Sequence, residues 1–248
     1  AGSRLGVFAR KPAPIQVNWL GYPGSTGLSA IDYRLTDAVA DPPGAEADAV
    51  EQLVRLPDGF LCYEGPADAP DVSPSPAVAA KAVTFGCFNN AQKITAEVVA
   101  LWARALRAAP TARLLIKAYR IERGNHRRRL EGLLAAHGVS PARIDIRPHY
   151  GGIRSHLATY AEVDVALDPF PYNGTTTTCE ALWLGVPTLT LRGDRHAGRV
   201  GASLMTAVGL PEFVAETPDD YVAKAVALAG DIDRRSEEHT SELQSRGL

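Results

Sequence analysis

The sequence predicts an α/β fold on a parallel sheet, from three observations. From Ala82 onward, short apolar runs with β-branched members alternate with segments of helical periodicity. Such alternation makes parallel units joined by right-handed crossovers, with helices on both faces. The distinctive polar clusters also fall just after predicted strands: NNAQK after VTFGCF, HYGG after RIDIR, PFPYNGTTTT after VALD and RGDRHAGR after VPTLTL. Parallel sheets bind ligands at the C-terminal ends of their strands, so this distribution predicts one cleft.

The elements follow in order. IQVNWLG and IDYRLTD, split by YPGSTG, read as strand, glycine-rich turn with a short helix, and strand. DPPGAEAD is a loop leading into a short helical segment, EQLVRL, and GFLCY at 59–63 reads as a further short strand. Residues 64–80, EGPADAPDVSPSPAVAA, are rich in Pro, Ala and Asp and read as a linker without regular structure. VTFGCF is then a strand. TAEVVALWARALRA is a helix, with Val98, Val99, Trp102 and Leu106 near helical spacing. RLLIKA is a strand, NHRRRLEGLLAAHG a helix with a basic outer face, and RIDIR a strand. IRSHLATYAEV is a helix entering the strand VDVALD. CEALWLG is a helix, VPTLTL a strand, GRVGASLMTAVG a helix, EFVAE a strand and DDYVAKAVALAGD a last helix. The predicted division is 1–63, a linker at 64–81, a main unit at 82–233, and a tail at 234–248. The tail contains RSEEHTSELQS, which reads as the translation of a sequencing adapter and is expected to be non-native. The start shows no Met and enters patterned sequence at once, so the chain is expected to be a piece of a longer one.

Bulk properties narrow the function classes. With 248 residues and 46% hydrophobic content, the chain can build a sizeable core. A net charge of -2 argues against a general nucleic-acid binder. No apolar run approaches the roughly 18 residues of a membrane helix, and no signal peptide is evident. Cys62, Cys87 and Cys179 lack metal-ligand spacing and form no disulfide framework, which suits a reducing, cytoplasmic setting. No metal motif, GxSxG or P-loop pattern is present. Asp164 and Asp168 bracket a strand without making a glycosidase pair, and Asp168-Pro169 reads as a strand terminator.

Two constellations carry chemistry. In NGTTTTCE, Thr177 and Glu180 have capping-box spacing, so a helix is predicted to begin near Thr177. One reading is a capped helix and nothing more. The other is an anion cradle, in which free first-turn N–H groups, Gly174 and the hydroxyls of Thr175, Thr176 and Thr177 receive a pyrophosphate. Glu180 serves either as the cap partner or as an acceptor for ribose hydroxyls. In FNNAQK, Lys93 sits between a strand and a helix capped by Thr95. It reads as a solvent-facing loop lysine or as the counter-charge to a phosphate and a departing diphosphate. Asn89 and Asn90 have the character of turn formers. His156 is a satisfied helix histidine or a contact for a base or sugar. His196, with Arg195 and Arg199, is a candidate for the same cleft, and His126, His137 and His149 read as surface residues.

FGCFNNAQKITAEVVALWARAL and VDVALDPFPYNGTTTTCEALWLGVPTLTLRGDRHAGRVGASLMTAVGLPE together resemble the C-terminal catalytic half of the SPINDLY-like and O-GlcNAc transferase family. VNWLGYPGSTG with IDYRLTD resembles the end of that family's N-terminal half, including the WLGYPG turn with Gly21 and Pro23. The resemblance spans about residues 10–230. It implies an α/β, Rossmann-like C-terminal lobe of a two-lobed, GT-B-type glycosyltransferase, with the truncated end of the N-terminal lobe. It implies an inverting protein O-glycosyltransferase; the residues themselves offer no metal motif, and no cofactor is expected. The donor would be UDP-GlcNAc, or GDP-fucose, and the acceptor a serine or threonine hydroxyl of a protein. By the same resemblance Lys93, Thr176 and Thr177 contact the donor diphosphate, Asn90 approaches the donor, Glu180 meets the ribose and His156 lies near the nucleobase. Thr175 stands where animal O-GlcNAc transferases place a histidine, which leaves the sugar open. Tetratricopeptide repeats and further catalytic histidines are expected upstream, so the isolated chain is expected to transfer nothing. A metabolic glycosyltransferase, an inactive nucleotide-binding fragment and a protein-interaction module are the alternatives.

Overall fold

The computed structural model describes residues 4–119, 121–149 and 151–230. The expected non-native tail at 234–248 lies outside the described residues. Nine strands form two parallel sheets among the described residues. β1 (Val17–Asn18), β2 (Tyr33–Asp37) and β3 (Gln52–Leu56) make the smaller sheet, in that order. The larger comprises β4 (Thr84–Cys87), β5 (Arg113–Ala118), β6 (Ile144–Pro148), β7 (Val165–Leu167), β8 (Thr188–Leu191) and β9 (Val214–Ala215). Its spatial order is β6-β5-β4-β7-β8-β9, and every neighbouring pair is parallel. This is the doubly wound order with one reversal, between β4 and β7, where such sheets open a crevice.

The helices are α1 (Leu5–Phe8), α2 (Pro76–Ala80), α3 (Ala96–Ala108), α4 (His126–Ala136), α5 (Ile153–Ala158), α6 (Thr176–Trp183), α7 (Val200–Ala207) and α8 (Pro218–Gly230). α3 starts where Thr95 accepts the Val98 N–H at 3.2 Å, and it buries the predicted Val98, Val99, Trp102 and Leu106. The Trp102 indole N–H donates to the Tyr221 hydroxyl of α8 at 3.1 Å, which satisfies both polar tips inside the core. α3, α4 and α8 pack on one face of the large sheet, and α5 and α6 cover the other. Leu114, Leu115 and Ile116 of β5 are all buried, as expected for a strand covered on both faces.

Several local expectations are corrected. EQLVRL is a strand: β3 pairs with β2 from Tyr33↔Gln52 to Asp37↔Leu56. Six residues with Leu53, Val54 and Leu56 apolar fit either period, and pairing with β2 decides. GFLCY at 59–63 is irregular; Phe60 is buried, and its carbonyl accepts the Trp19 indole N–H at 2.6 Å. IQVNWLG contributes only the two residues of β1, and YPGSTG contains no helix. The 64–80 segment is not wholly irregular. Asp164 accepts from the Ser75 hydroxyl, the Ala77 N–H at 3.0 Å and the Thr84 N–H at 2.8 Å, which docks α2 beside β4.

Candidate functional site: a cleft at the sheet reversal

The chain leaves β4 and β7 side by side, and the two loops that follow form one wall of a cleft of ≈ 370 Å³. From the β4 side come Asn89, Asn90 and Lys93; from the β7 side come Tyr172, Thr175, Thr176 and Thr177. The opposite wall comes from the smaller unit, the residues around the β1–β3 sheet, with Trp19 to Pro23, Arg34 and Phe60. The structure thus gathers five of the predicted site residues, Asn90, Lys93, Thr175, Thr176 and Thr177, around one space.

The helix start is built differently from the capping box. α6 begins at Thr176, with Thr175 as N-cap and no side-chain cap bond. Thr177 lies inside the first turn, where its hydroxyl donates to Asn89 Oδ1 at 3.1 Å. Glu180 faces away from the helix start, toward His156. The predicted Thr177–Glu180 box is therefore absent, because both side chains have tertiary partners. Gly174 is buried rather than open to a ligand. A Cβ there would lie 2.6 Å from Thr178 Oγ1, 2.8 Å from Thr177 Oγ1 and 3.0 Å from Asn89 Nδ2. Glycine is needed for that contact.

Asp168 and Asn173, which the sequence reading left out of the site, hold the threonine loop. Asp168 is buried; it accepts the Gly174 N–H at 2.6 Å and the Thr190 hydroxyl at 2.9 Å. Burial pushes its carboxyl up to about 7, against the opposing pull of those bonds and of Lys93. Asn173 donates to the Pro169 carbonyl at 2.9 Å and accepts the Gly201 N–H of α7 at 3.1 Å. Gly201 permits the approach, since a Cβ there would lie 2.3 Å from Thr190 Oγ1 and 2.4 Å from Asp168 Oδ2. The Asp-Pro pair at 168–169 thus does more than end a strand.

Lys93 closes this loop from the β4 side. Its ammonium donates to the Asn173 carbonyl at 2.7 Å and sits 3.9 Å over the Tyr172 ring. Burial lowers its pKa, partly countered by the attraction of Asp168. A positive group held beside the start of α6 makes a favourable setting for an anion. Asn90 has the turn role expected of it, accepting the Gln92 N–H at 3.0 Å, while also lining the cleft.

His156 and Glu180 do not line that space. They form a buried pair, Nε2 to Oε2 at 3.2 Å, and the Tyr160 hydroxyl lies 3.3 Å from the same carboxylate oxygen. Tyr160 also donates to the Thr177 carbonyl at 3.0 Å, tying the pair to the threonine turn. His156 Nδ1 is buried without a partner among the described residues. His149, read as a surface residue, is half-buried and stacks on His156 with ring centroids 4.2 Å apart. Burial and the neighbouring His156 and Lys117 lower its pKa.

His196 lines the cleft as expected. Its partner, Asp41 of the smaller unit, carries no local signal, and its Oδ2 lies 2.8 Å from Nδ1. Arg199 turns back onto its own loop, donating to the Gly193 and Asp194 carbonyls, and Arg195 lines an adjoining cleft with Asp48, Arg34 and His196. Among the described residues no cluster of three or more His, Cys, Asp or Glu could hold a metal ion. No helix among them is long and apolar enough to cross a membrane.

Comparison with known proteins agrees with this architecture. A relative from Solanum lycopersicum named "Probable UDP-N-acetylglucosamine–peptide N-acetylglucosaminyltransferase SPINDLY" is 48% identical over 232 residues, which is 94% of this chain and 25% of the relative. Its Arabidopsis thaliana counterpart is 47% identical over the same length. The chain thus spans about a quarter of the curated relatives it matches. An O-GlcNAc transferase variant of Thermobaculum terrenum superposes with a TM-score of 0.91 at 39% identity, over 99% of this chain and 47% of that one. A sucrose-phosphate synthase of Thermosynechococcus elongatus shares the fold alone, with a TM-score of 0.59 at 15% identity. The large sheet is the Rossmann-like lobe of a GT-B-type glycosyltransferase fold. The model of Glycosyl transferase family 41 matches residues 1–65 and 75–246, and the chain belongs to that family.

Proposed function

We propose that this chain carries the donor site of an inverting protein O-glycosyltransferase. It moves a sugar, GlcNAc from UDP-GlcNAc, to serine or threonine hydroxyls of proteins. The observation that carries the reading is the convergence of Lys93 and the start of α6 on one cleft at the sheet reversal. Residues 82–233 are the nucleotide-sugar lobe, 1–63 belong to the other catalytic lobe, and 64–81 connect them. The diphosphate binds at Thr175, Thr176 and Thr177, with Asn90 beside it. Lys93 leaves the Asn173 carbonyl to meet the phosphates and stabilises charge growing on the departing nucleoside diphosphate, where electrostatic stabilisation contributes most. The nucleoside lies toward the His156–Glu180 pair. The unpartnered His156 Nδ1 is suited to a base edge, and Glu180 exchanges its tyrosine contact for ribose hydroxyls. Names of relatives on both sides of the comparison, plant and bacterial, support GlcNAc.

One observation keeps a second donor open. Thr175 lines the cleft at the N-cap without making a cap bond, so its small hydroxyl is left for the donor. It stands where the animal enzymes of the resembled family place a histidine, so GDP-fucose stays open as the donor beside UDP-GlcNAc. Calorimetry with UDP, UDP-GlcNAc, GDP and GDP-fucose decides between the two. Tighter binding of the GDP pair selects the fucose reading. Absence of binding by any nucleotide leaves an interaction module and rejects the transferase. Transfer to a serine- and threonine-containing peptide is then measured on the chain alone and on the chain joined to the upstream half of the Thermobaculum terrenum enzyme.

A further inference from the structure

Asp41 and His196 come from the two different units and meet in the cleft wall. Both side chains are buried, and Asp41 Oδ2 also accepts from the Thr36 hydroxyl and, at 3.0 Å, from the Arg34 guanidinium. The Phe60 ring stands 5.0 Å from the imidazole centroid, tilted by 56°. Burial works to raise the Asp41 carboxyl, but the bonds from His196 and Thr36 and the charge of Arg34 outweigh it and keep the group ionised. A carboxylate at Nδ1 fixes a neutral imidazole as the Nδ1–H tautomer. The nitrogen left for a cleft ligand is then Nε2, with its lone pair. Among the described residues, the other ionisable side chains lining the cleft are Lys93, Arg34, Tyr22 and Tyr172.

Resting on the transferase reading above, we propose that His196 is the proton acceptor of the transfer and Asp41 its positioning residue. The acceptor hydroxyl oxygen forms its bond to the anomeric carbon as its proton passes to His196 Nε2. The bond from that carbon to the diphosphate oxygen breaks, and its electron pair leaves with the nucleoside diphosphate, beside Lys93 and the start of α6. Asp41 stabilises the imidazolium, which then returns the proton to solvent. The charged groups nearest this imidazole are Asp41 and Arg34 from the smaller unit; His196 also borders an adjoining cleft lined by Asp48, Arg195 and Arg199, the last tied to backbone carbonyls.

The test compares wild type, His196→Ala and Asp41→Asn, in the chain and in the joined form, by UDP and GDP affinity, transfer rate against pH and imidazole ¹⁵N NMR. His196→Ala is expected to lower kcat by about 10²–10⁴-fold, the usual range for a general base. Nucleotide affinity should stay within about twofold. The wild-type rate should rise with pH as one group loses its proton, and that rise should vanish in His196→Ala. Asp41→Asn should move it to lower pH, which a merely structural role would not do. NMR of the chain by itself should show the Nδ1–H tautomer. A His196→Ala rate within about threefold of wild type, an unchanged pH rise, or an Nε2–H tautomer overturns the proposal. Failure to bind either nucleotide rejects the transferase reading instead, whereas binding with transfer indifferent to His196 rejects this inference alone.

Discussion

Replacing Asp168 by Asn tests whether the carboxylate beneath the threonine loop is held at a cost in stability. Asp168 is buried, with a carboxyl near 7 where 3.8 is ordinary. Between those values the folded protein retains a proton that the unfolded chain has released. Stability from this group is therefore complete below about pH 4 and is lost as pH rises through about 7. At ~1.4 kcal/mol per pH unit the loss amounts to about 4 kcal/mol. Asparagine keeps the geometry: its carbonyl accepts the Gly174 N–H, and its amide donates to Thr190 Oγ1, which is able to accept. Asp168→Asn should match wild type near pH 4 and exceed it by up to about 4 kcal/mol near pH 8. Urea denaturation at half-unit pH steps measures this, and taking the difference between the two proteins removes every other titrating group. Parallel stability curves would refute the reasoning, as would a wild-type advantage at pH 8.

Further outcomes follow from neighbouring contacts. Lys93→Ala should weaken nucleotide diphosphate binding at least tenfold, about 1.4 kcal/mol, and the lost bond to the Asn173 carbonyl should cost about 0.5–1.5 kcal/mol of stability; equal affinity in calorimetry would remove Lys93 from the site. Gly201→Ala forces a Cβ to within 2.3 Å of Thr190 Oγ1 and 2.4 Å of Asp168 Oδ2. It should cost about 1–3 kcal/mol by overpacking, read as a lower urea midpoint. Thr177→Val loses one hydrogen bond to Asn89 and no cap, so the expected cost is about 0.5–1.5 kcal/mol. Circular dichroism melts check this, and a larger loss would indicate that Thr177 caps the helix in solution.

The large sheet was legible because its strands are buried on both faces and its helices are long enough to show their period. RLLIKA and TAEVVALWARALRA leave little choice. In the smaller sheet IDYRLTD was legible as β2, but EQLVRL and GFLCY are too short for periodicity to decide, and pairing with β2 or contact with His196 sets their conformation. The site divides the same way. Lys93 and the threonines were visible because they follow strands in sequence. Asp168 looked like a strand terminator, and its role emerges only from Gly174, Thr190 and Gly201 closing around it. Asp41 carried no local signal, since its partner lies 155 residues away. The capping box failed for a related reason: matching spacing along a helix does not reveal that Glu180 has a better partner in His156.

Two carboxylates, Asp37 at the end of β2 and Asp41 four residues on, each reach residues that follow β8. Asp37 accepts from Ser203 of α7, and Asp41 holds His196 just before it. These contacts flank an apolar cluster in which Ala40 and Phe60 pack with Cys179, Leu182, Val200, Leu204 and Met205. The seam between the two sheets is a continuous core, and Phe60 and His196 are where it meets the cleft.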